Sequence, residues 1–291
     1  MTELMTIDTN NYAAMAKAMG IANEGGSKQK ASTLARLRIQ HSPILGDDKV
    51  LVKAGQYKME IPDGETYYAS SVKIRPYLQR FMYKRFIKGS GAAPNRYVKT
   101  VMADSLTIDL KDNDGGFNCG KPAGYIQDFQ SLPKNTQELI KQIKRVRVVL
   151  GTVQLVDAID SNGNKVDVPE TAFIWEIENR DAFKEVGNVF AKLNKMKRLP
   201  VQHLITANTD ERKLPNGSSF FLPVVSLDVT KTIEVTQDEQ EKFSDFISWV
   251  TNYNEYIINA YAEKANPHND EDDEAIVDGL VDIDFDEDEV A

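Results

Sequence analysis

One window of the chain, residues 72–100, combines cationic and aromatic side chains and contains no acidic residue. Its basic residues are Lys73, Arg75, Arg80, Lys84, Arg85, Lys88, Arg96 and Lys99. Its aromatic residues are Tyr77, Phe81, Tyr83, Phe86 and Tyr97. Cations neutralise phosphate groups, and aromatic rings stack on unpaired bases. The window therefore holds the side chains that a surface for single-stranded nucleic acid requires.

The same window also fits two strands of an ordinary antiparallel sheet, with the rings in the core and the cations in water. Successive side chains of a strand point to opposite faces of the sheet. Only about half of the five rings can therefore face one groove. Which rings stack on bases and which belong to the core stays open at this point.

The end of the chain has the opposite charge. Residues 267–291 contain twelve acidic residues and neither Lys nor Arg. The whole chain has 35 basic and 44 acidic residues, net −9, and removing those twelve acids leaves 35 and 32, net +3. Such a tail is expected to be disordered, because like charges repel and little apolar surface can be buried. Apolar residues nevertheless interrupt it, and they predict a partner-binding segment at Ile283, Asp284, Phe285 and Asp286.

Composition excludes several classes of protein. The 291 residues contain no run of about 18 apolar residues, so we expect a protein that does not enter a membrane. They also contain no leader with a basic start and an apolar core. We therefore expect a cytoplasmic protein, located in the host cytoplasm if the chain is viral. The single Cys119 cannot form an intramolecular disulfide. One Cys and three His cannot supply the paired ligands of a structural zinc site, so we expect neither a metal nor another cofactor.

Three regions are predicted. Residues 1–48 form a flexible basic N-terminal arm, residues 49–266 a β-rich nucleic-acid-binding core, and residues 267–291 a disordered acidic tail. Alternating apolar residues and turn signals predict the strands of the core at 50–52, 56–61, 66–75, 77–87, 97–110, 145–158, 170–178, 201–208 and 218–230. Helical spacing predicts helices at 135–143, 179–196 and 237–264. Pro76 should end or bend its strand, and Thr236 with Glu239 predicts a capping box.

Motifs of catalysis are few. Residues 115–121 match G-x-x-x-x-G-K, but Pro122 stands where a phosphate loop has Ser or Thr. Residues 160–164 place a glycine at the fourth position of a calcium-type loop, where the sixth is required. The sequence contains neither G-x-S-x-G nor H-E-x-x-H. We therefore expect no catalytic residues, and an enzyme is the minority interpretation.

A basic, aromatic, strand-rich body with an acidic C-terminal tail resembles the single-stranded-DNA-binding proteins of replicating bacteriophages, of the T4 and T7 types. Residues 28–33, KQKAST, are similar to the Lys/Arg- and Ser/Thr-rich N-terminal motif of the T4 type. The chain departs from the T4 type in lacking a zinc site, and from the T7 type in ending Glu289-Val290-Ala291 without an aromatic residue.

This resemblance implies an α+β, β-rich fold with an OB-fold-like barrel and flanking helices. It also implies sequence-tolerant binding of single-stranded DNA in replication, recombination or repair, and a tail that contacts replication proteins. Two other classes of function stay open: a structural or scaffold protein of a virion or replication complex, and a nucleic-acid enzyme or its accessory factor. A homo-oligomer stays open among the partners, and the sequence decides neither the oligomeric state nor the preference between DNA and RNA.

Overall fold

A computed structural model describes residues 34–47, 49–62, 64–90, 94–214 and 217–265. Most of the predicted arm and the tail segment Ile283–Asp286 lie outside the described residues. The described part contains three α-helices: α1 (Lys134–Gln142), α2 (Arg180–Lys195) and α3 (Gln237–Ala265). It contains eleven strands: β1 (Ala35–Ile39), β2 (Ile44–Leu45), β3 (Val50–Val52), β4 (Tyr57–Glu60), β5 (Thr66–Ala69), β6 (Ser71–Ile87), β7 (Arg96–Lys99), β8 (Ile143–Val156), β9 (Thr171–Ile177), β10 (Ile205–Lys213) and β11 (Ser219–Leu227).

Nine of these strands form one mixed, mainly antiparallel sheet in the order β11-β10-β6-β8-β9-β1-β4-β5, and β7 pairs with the second half of β6. The exception is the parallel pair of β1 and β9. Strands β2 and β3 form a separate ribbon. The predicted α+β, β-rich class is confirmed.

The long antiparallel pair β6 and β8 is the centre of the sheet, and its register runs from Ser71 opposite Val156 to Arg85 opposite Ile143. The register shifts between Pro76 and Leu78. Pro76 has no amide hydrogen to donate to the ladder, so it bends β6 here without ending it. Gly151 lies opposite, and a Cβ at that position would stand 2.2 Å from the carbonyl oxygen of Arg75. The bend therefore requires a glycine on the facing strand.

The two ends of the sheet curl toward each other. The Tyr57 hydroxyl of β4 donates a hydrogen bond to the Asn208 carbonyl of β10 at 3.1 Å. The Thr209 hydroxyl donates to the Gly55 carbonyl at 2.5 Å. These contacts involve side chains, and no backbone ladder closes the sheet within the described residues. The predicted OB-type barrel is therefore not confirmed.

The sheet has a hydrophobic core on each face. Helix α2 packs on one face, hereafter the α2 face, with Ala182, Val186, Val189 and Leu193 against side chains that include Trp175, Ile74 and Met59. Helix α3 packs on the other, the α3 face, where Phe246 and Val250 contact a cluster that includes Leu78 and Met82. Apolar burial on both faces leaves few surfaces of the central strands open to a ligand.

Two predictions of structure differ from what is observed. Strand β1 lies within the predicted flexible arm, yet it is an interior strand between β9 and β4. Its apolar positions Ala35 and Leu37 alternate with Arg36 and Arg38, and this two-residue period was concealed by the high density of cations. A pair of strands was predicted at 97–110, and the structure has one strand there, which ends at Lys99. Beyond it, residues 100–117 form isolated bridges and turns.

No helix in the described ranges combines the length and the apolar character needed to cross a membrane.

Candidate nucleic-acid interface

Strand β6 carries most of the predicted window, and the bend at Pro76 divides its side chains between the two faces. Tyr77, within the register shift, and Leu78, directly after it, both join the core beneath helix α3. Alternation then places Arg80, Met82, Lys84 and Phe86 on the α3 face. It places Phe81, Tyr83 and Arg85 on the α2 face. In β7, Tyr97 and Lys99 pair with Phe86 and Lys84, so they lie on the α3 face too.

Two of the predicted residues anchor the start of helix α3. The guanidinium of Arg75 forms an ion pair with Glu239 at 2.7 Å and donates to the Val201 carbonyl at 2.8 Å. The Tyr77 hydroxyl donates to the same carboxylate. The ring of Tyr77, only 6% exposed, packs against Phe246 at a centroid distance of 5.3 Å. Arg75 and Tyr77 therefore stabilise the fold and present little to a ligand.

Lys84 is 8% exposed, and its charge is balanced by two carboxylates. Its ammonium group lies 2.7 Å from Glu178 and 3.3 Å from Glu176. Burial by itself would raise the pKa of Glu176, but the charges of Lys99, Lys84 and Arg36 outweigh it and lower that pKa to about 2. For Lys84, burial favours the neutral amine, and the two glutamates overcome it and raise its pKa. The positive charge of Lys84 is therefore neutralised within the cluster of Lys84, Glu176 and Glu178.

The remaining window residues of β7 are also engaged. Arg96 makes a bidentate pair with Asp114, at 2.5 and 3.1 Å, and Lys264 of helix α3 reaches the same carboxylate at 3.5 Å. Tyr97 packs against Phe86 at 5.1 Å, and the ammonium of Lys84 lies 4.6 Å from the Tyr97 ring centroid. Phe86 is 39% exposed. The α3 face thus offers one open ring beside compensated charges.

Lys73 and Lys88 are exposed, Arg80 is half-buried, and within the described ranges none of the three forms an ion pair.

The α2 face has a different arrangement, because rings and guanidinium groups alternate across β6, β8 and helix α2. Phe81 and Phe183 pack at a centroid distance of 5.9 Å. The guanidinium carbon of Arg147 lies 4.9 Å from the Phe81 ring and 4.4 Å from the Phe183 ring. The exposed Arg145 lies 6.0 Å from the Phe183 ring on its own side. Arg147 stands opposite Phe81 in the register, and Arg145 opposite Tyr83.

Two more cations extend this arrangement. Lys121 lies 5.8 Å from the Tyr83 ring and donates to the carbonyl oxygens of Pro122 and Gly124. Arg85 has a buried Nε without a hydrogen-bond partner among the described residues. We call this set the cation–aromatic strip, and it consists of Phe81, Tyr83, Arg85, Lys121, Arg145, Arg147 and Phe183.

The charges of the strip are not compensated by ion pairs. Within the described ranges, Arg85, Lys121, Arg145 and Arg147 form no ion pair with a carboxylate. Burial lowers the pKa of Arg147 to about 10. Burial raises the pKa of Tyr83, on which the charges of Arg145 and Asp109 act in opposite directions. Uncompensated cations beside half-buried rings are the arrangement that can accept phosphates and bases.

Four members of the strip were missed in the sequence: Lys121, Arg145, Arg147 and Phe183. All four lie outside the acid-free window. Three of them belong to β8 or α2, and only the pairing of β6 with β8 and the packing of α2 bring these three to the window. The sequence carried one usable signal. Arg145 and Arg147 are two residues apart in a predicted strand, so they had to share a face.

The glycine-rich loop at 115–121 donates hydrogen bonds to a carboxylate that lies just before it in the chain. The buried Asp112 carboxylate accepts hydrogen bonds from the backbone amides of Asp114, Gly116 and Cys119 at 2.9–3.0 Å. The amides of Gly116 and Cys119 in this loop are therefore occupied by a carboxylate of the protein itself.

Cys119 is buried, its thiol lies 3.3 Å from the Val98 carbonyl, and burial raises its pKa. Among the residues that the structure describes, no cluster of three or more His, Cys, Asp or Glu could hold a metal ion.

Comparison with protein-family models, with curated proteins and with solved structures found no match to this chain.

Proposed function

We propose that this protein binds single-stranded nucleic acid through the cation–aromatic strip, with single-stranded DNA in replication, recombination or repair as the substrate. The observation that supports the proposal is the strip itself, in which two half-buried rings lie between guanidinium groups that form no ion pair within the described ranges. Its role would be binding and not catalysis.

The members of the strip would have different tasks. Arg145 is exposed, Arg85 and Lys121 are half-buried, and none of the three forms an ion pair within the described ranges, so these are the groups that would contact phosphates. Phe81 and Phe183 would stack on bases, because both are half-buried and therefore keep part of their surface open. Stacking does not distinguish one base from another, so the binding would tolerate any sequence.

The OB-fold-like barrel that the resemblance to phage proteins implies is part of the proposal. It is supported by the curl of the sheet and by the side-chain hydrogen bonds that join its two ends. The acidic tail is proposed to compete with DNA for the cation–aromatic strip and to bind replication proteins through residues 283–286.

The proposal predicts a definite salt dependence. Three phosphate contacts, each contributing about −0.7, give a slope of about −2 when log affinity for a single strand is plotted against log salt concentration. Fluorescence anisotropy of labelled oligo-dT, titrated with the protein at several salt concentrations, measures this slope. Duplex DNA of the same length should bind more weakly, because paired bases cannot reach Phe81 and Phe183.

Binding that does not respond to salt, or a preference for the duplex, would contradict this mechanism. The structural or scaffold role left open by the sequence would then account better for the acidic tail.

A further inference from the structure

Arg147 differs from the other cations of the strip in being enclosed. Its side chain is 8% exposed, and its Nε donates to the Phe183 carbonyl at 3.0 Å. One of its terminal nitrogens donates to the Gln79 side-chain oxygen. Its guanidinium carbon lies within 5 Å of the centroids of both rings, Phe81 and Phe183. The guanidinium is thus held from several sides at once.

Helix α2 makes room for this guanidinium through a glycine. A Cβ at Gly187 would lie 2.4 Å from the second terminal nitrogen of Arg147 and 3.0 Å from its guanidinium carbon. Glycine in the interior of a helix is less favourable than alanine. Gly187 therefore makes helix α2 less stable than alanine would, and the space that the Arg147 guanidinium needs explains why a glycine is present.

We infer that Arg147 is a positioning residue, which fixes the rings of Phe81 and Phe183 as one surface for stacking a base, and that Gly187 provides the space it needs. This inference rests on the proposed function. Because the side chain is enclosed and hydrogen-bonded, its contribution is to the geometry of the rings and not to phosphate neutralisation. Arg145, by contrast, is exposed and free to contact phosphate.

The test compares two labelled oligonucleotides with the same number of phosphates: oligo-dT and an abasic oligomer of equal length. Arg147→Lys keeps the charge but removes the planar group that contacts both rings. Gly187→Ala displaces the guanidinium and, since alanine is the better helix former, keeps helix α2 folded. Asn188→Ala, at the next and exposed position of the same helix, is the matched control.

Arg147→Lys and Gly187→Ala should each bind oligo-dT about tenfold more weakly, which is the lower part of the range for losing one stacked base. Their affinity for the abasic oligomer and the slope of affinity against salt should stay at the wild-type values. The control should match the wild type on both ligands.

Equal losses on oligo-dT and on the abasic oligomer would show that Arg147 acts on the phosphate backbone and not through the stacked base, and would overturn the inference. Unchanged binding of oligo-dT by both variants would also overturn it, while the proposed function would stand. A wild-type protein that binds neither oligonucleotide would refute the proposed function and the inference with it.

Discussion

Lys84 and Arg85 are neighbours in the sequence with opposite surroundings in the structure. The ammonium of Lys84 is buried between Glu176 and Glu178, whereas the Nε of Arg85 has no hydrogen-bond partner among the described residues. Alternation along β6 produces this difference, because one side chain faces α3 and the other faces α2. At the scale of single residues, charge alone therefore does not identify a phosphate contact.

Lys84→Met should reduce stability and leave DNA binding intact. The substitution removes the ammonium group and leaves two carboxylates without their cation. We expect a loss of about 2–3 kcal/mol in the free energy of unfolding at neutral pH. Urea unfolding measures this loss, with the exposed Lys73→Met as the control. A Lys84→Met protein of normal stability that had lost its salt-dependent DNA binding would contradict the assignment.

The same cluster predicts a pH dependence. The pKa of Glu176 is lowered from an ordinary 4.5 to about 2 in the folded protein, so its ionised form stabilises the fold at neutral pH. That stabilisation, at most about 3 kcal/mol for this shift, is lost as the pH falls from about 5 to about 2. Urea unfolding at pH 7 and pH 3 should show the destabilising effect of Lys84→Met shrinking at the lower pH. A destabilising effect of the same size at both pH values would contradict the stabilising role of the ionised Glu176.

At the scale of the elements, helix α3 is fixed to the sheet by a buried carboxylate. The sequence predicted a capping box from Thr236 and Glu239. The Thr236 hydroxyl does accept from the Glu239 amide, at 3.4 Å. The Glu239 side chain, however, forms its contacts with Arg75, Tyr77 and Lys242. Only half of the capping box is present, because the carboxylate makes stronger contacts with the sheet.

Glu239→Gln should therefore cost more than the loss of a helix cap. It leaves the guanidinium of Arg75 without its carboxylate, and we expect the free energy of unfolding to fall by about 3 kcal/mol. Thr236→Ala should cost about 1 kcal/mol, the usual value of an N-cap. Chemical denaturation of both variants compares these values. Equal losses would indicate that Glu239 acts only as part of the cap.

Local patterns predicted the identity of most elements, since helix α2, helix α3 and the long strand β8 lie close to their expected positions. The pairing of distant strands was not predictable from them. Tyr83 and Phe86 are three residues apart in one window, yet Tyr83 is buried and Phe86 is exposed. Their faces depend on the bend at Pro76 and on what packs over each face. The cation–aromatic strip was not predictable for the same reason, because part of it comes from β8 and α2, which are far from the window in sequence.

At the scale of the whole molecule, charge is divided between the C-terminal tail and the rest of the chain. Without the twelve acids of residues 267–291, the net charge changes from −9 to +3. An acidic segment tethered by a short flexible linker would compete for the cation–aromatic strip at an effective concentration that is typically millimolar. The tail is thus expected to be an intramolecular competitor of DNA.

Truncation after Asn266 should accordingly tighten the binding of oligo-dT at low salt. The gain should shrink as salt screens both competitors. Anisotropy titrations of the full-length and truncated proteins at several salt concentrations provide the comparison. Equal affinities at low salt would show that the tail does not compete with DNA for the cation–aromatic strip. The tail would then be a docking or solubility element.

The most direct test of the central claim uses two adjacent cations of β8 that lie on opposite faces. Lys144 and Arg145 are both exposed, and they stand opposite Lys84 and Tyr83 respectively. The salt dependence of oligo-dT binding should be measured for Lys144→Gln and Arg145→Gln. If the strip on the α2 face is the binding surface, Arg145→Gln weakens binding and makes the slope less steep by about 0.7, while Lys144→Gln matches the wild type. The reverse result, or equal effects of the two substitutions, would contradict it.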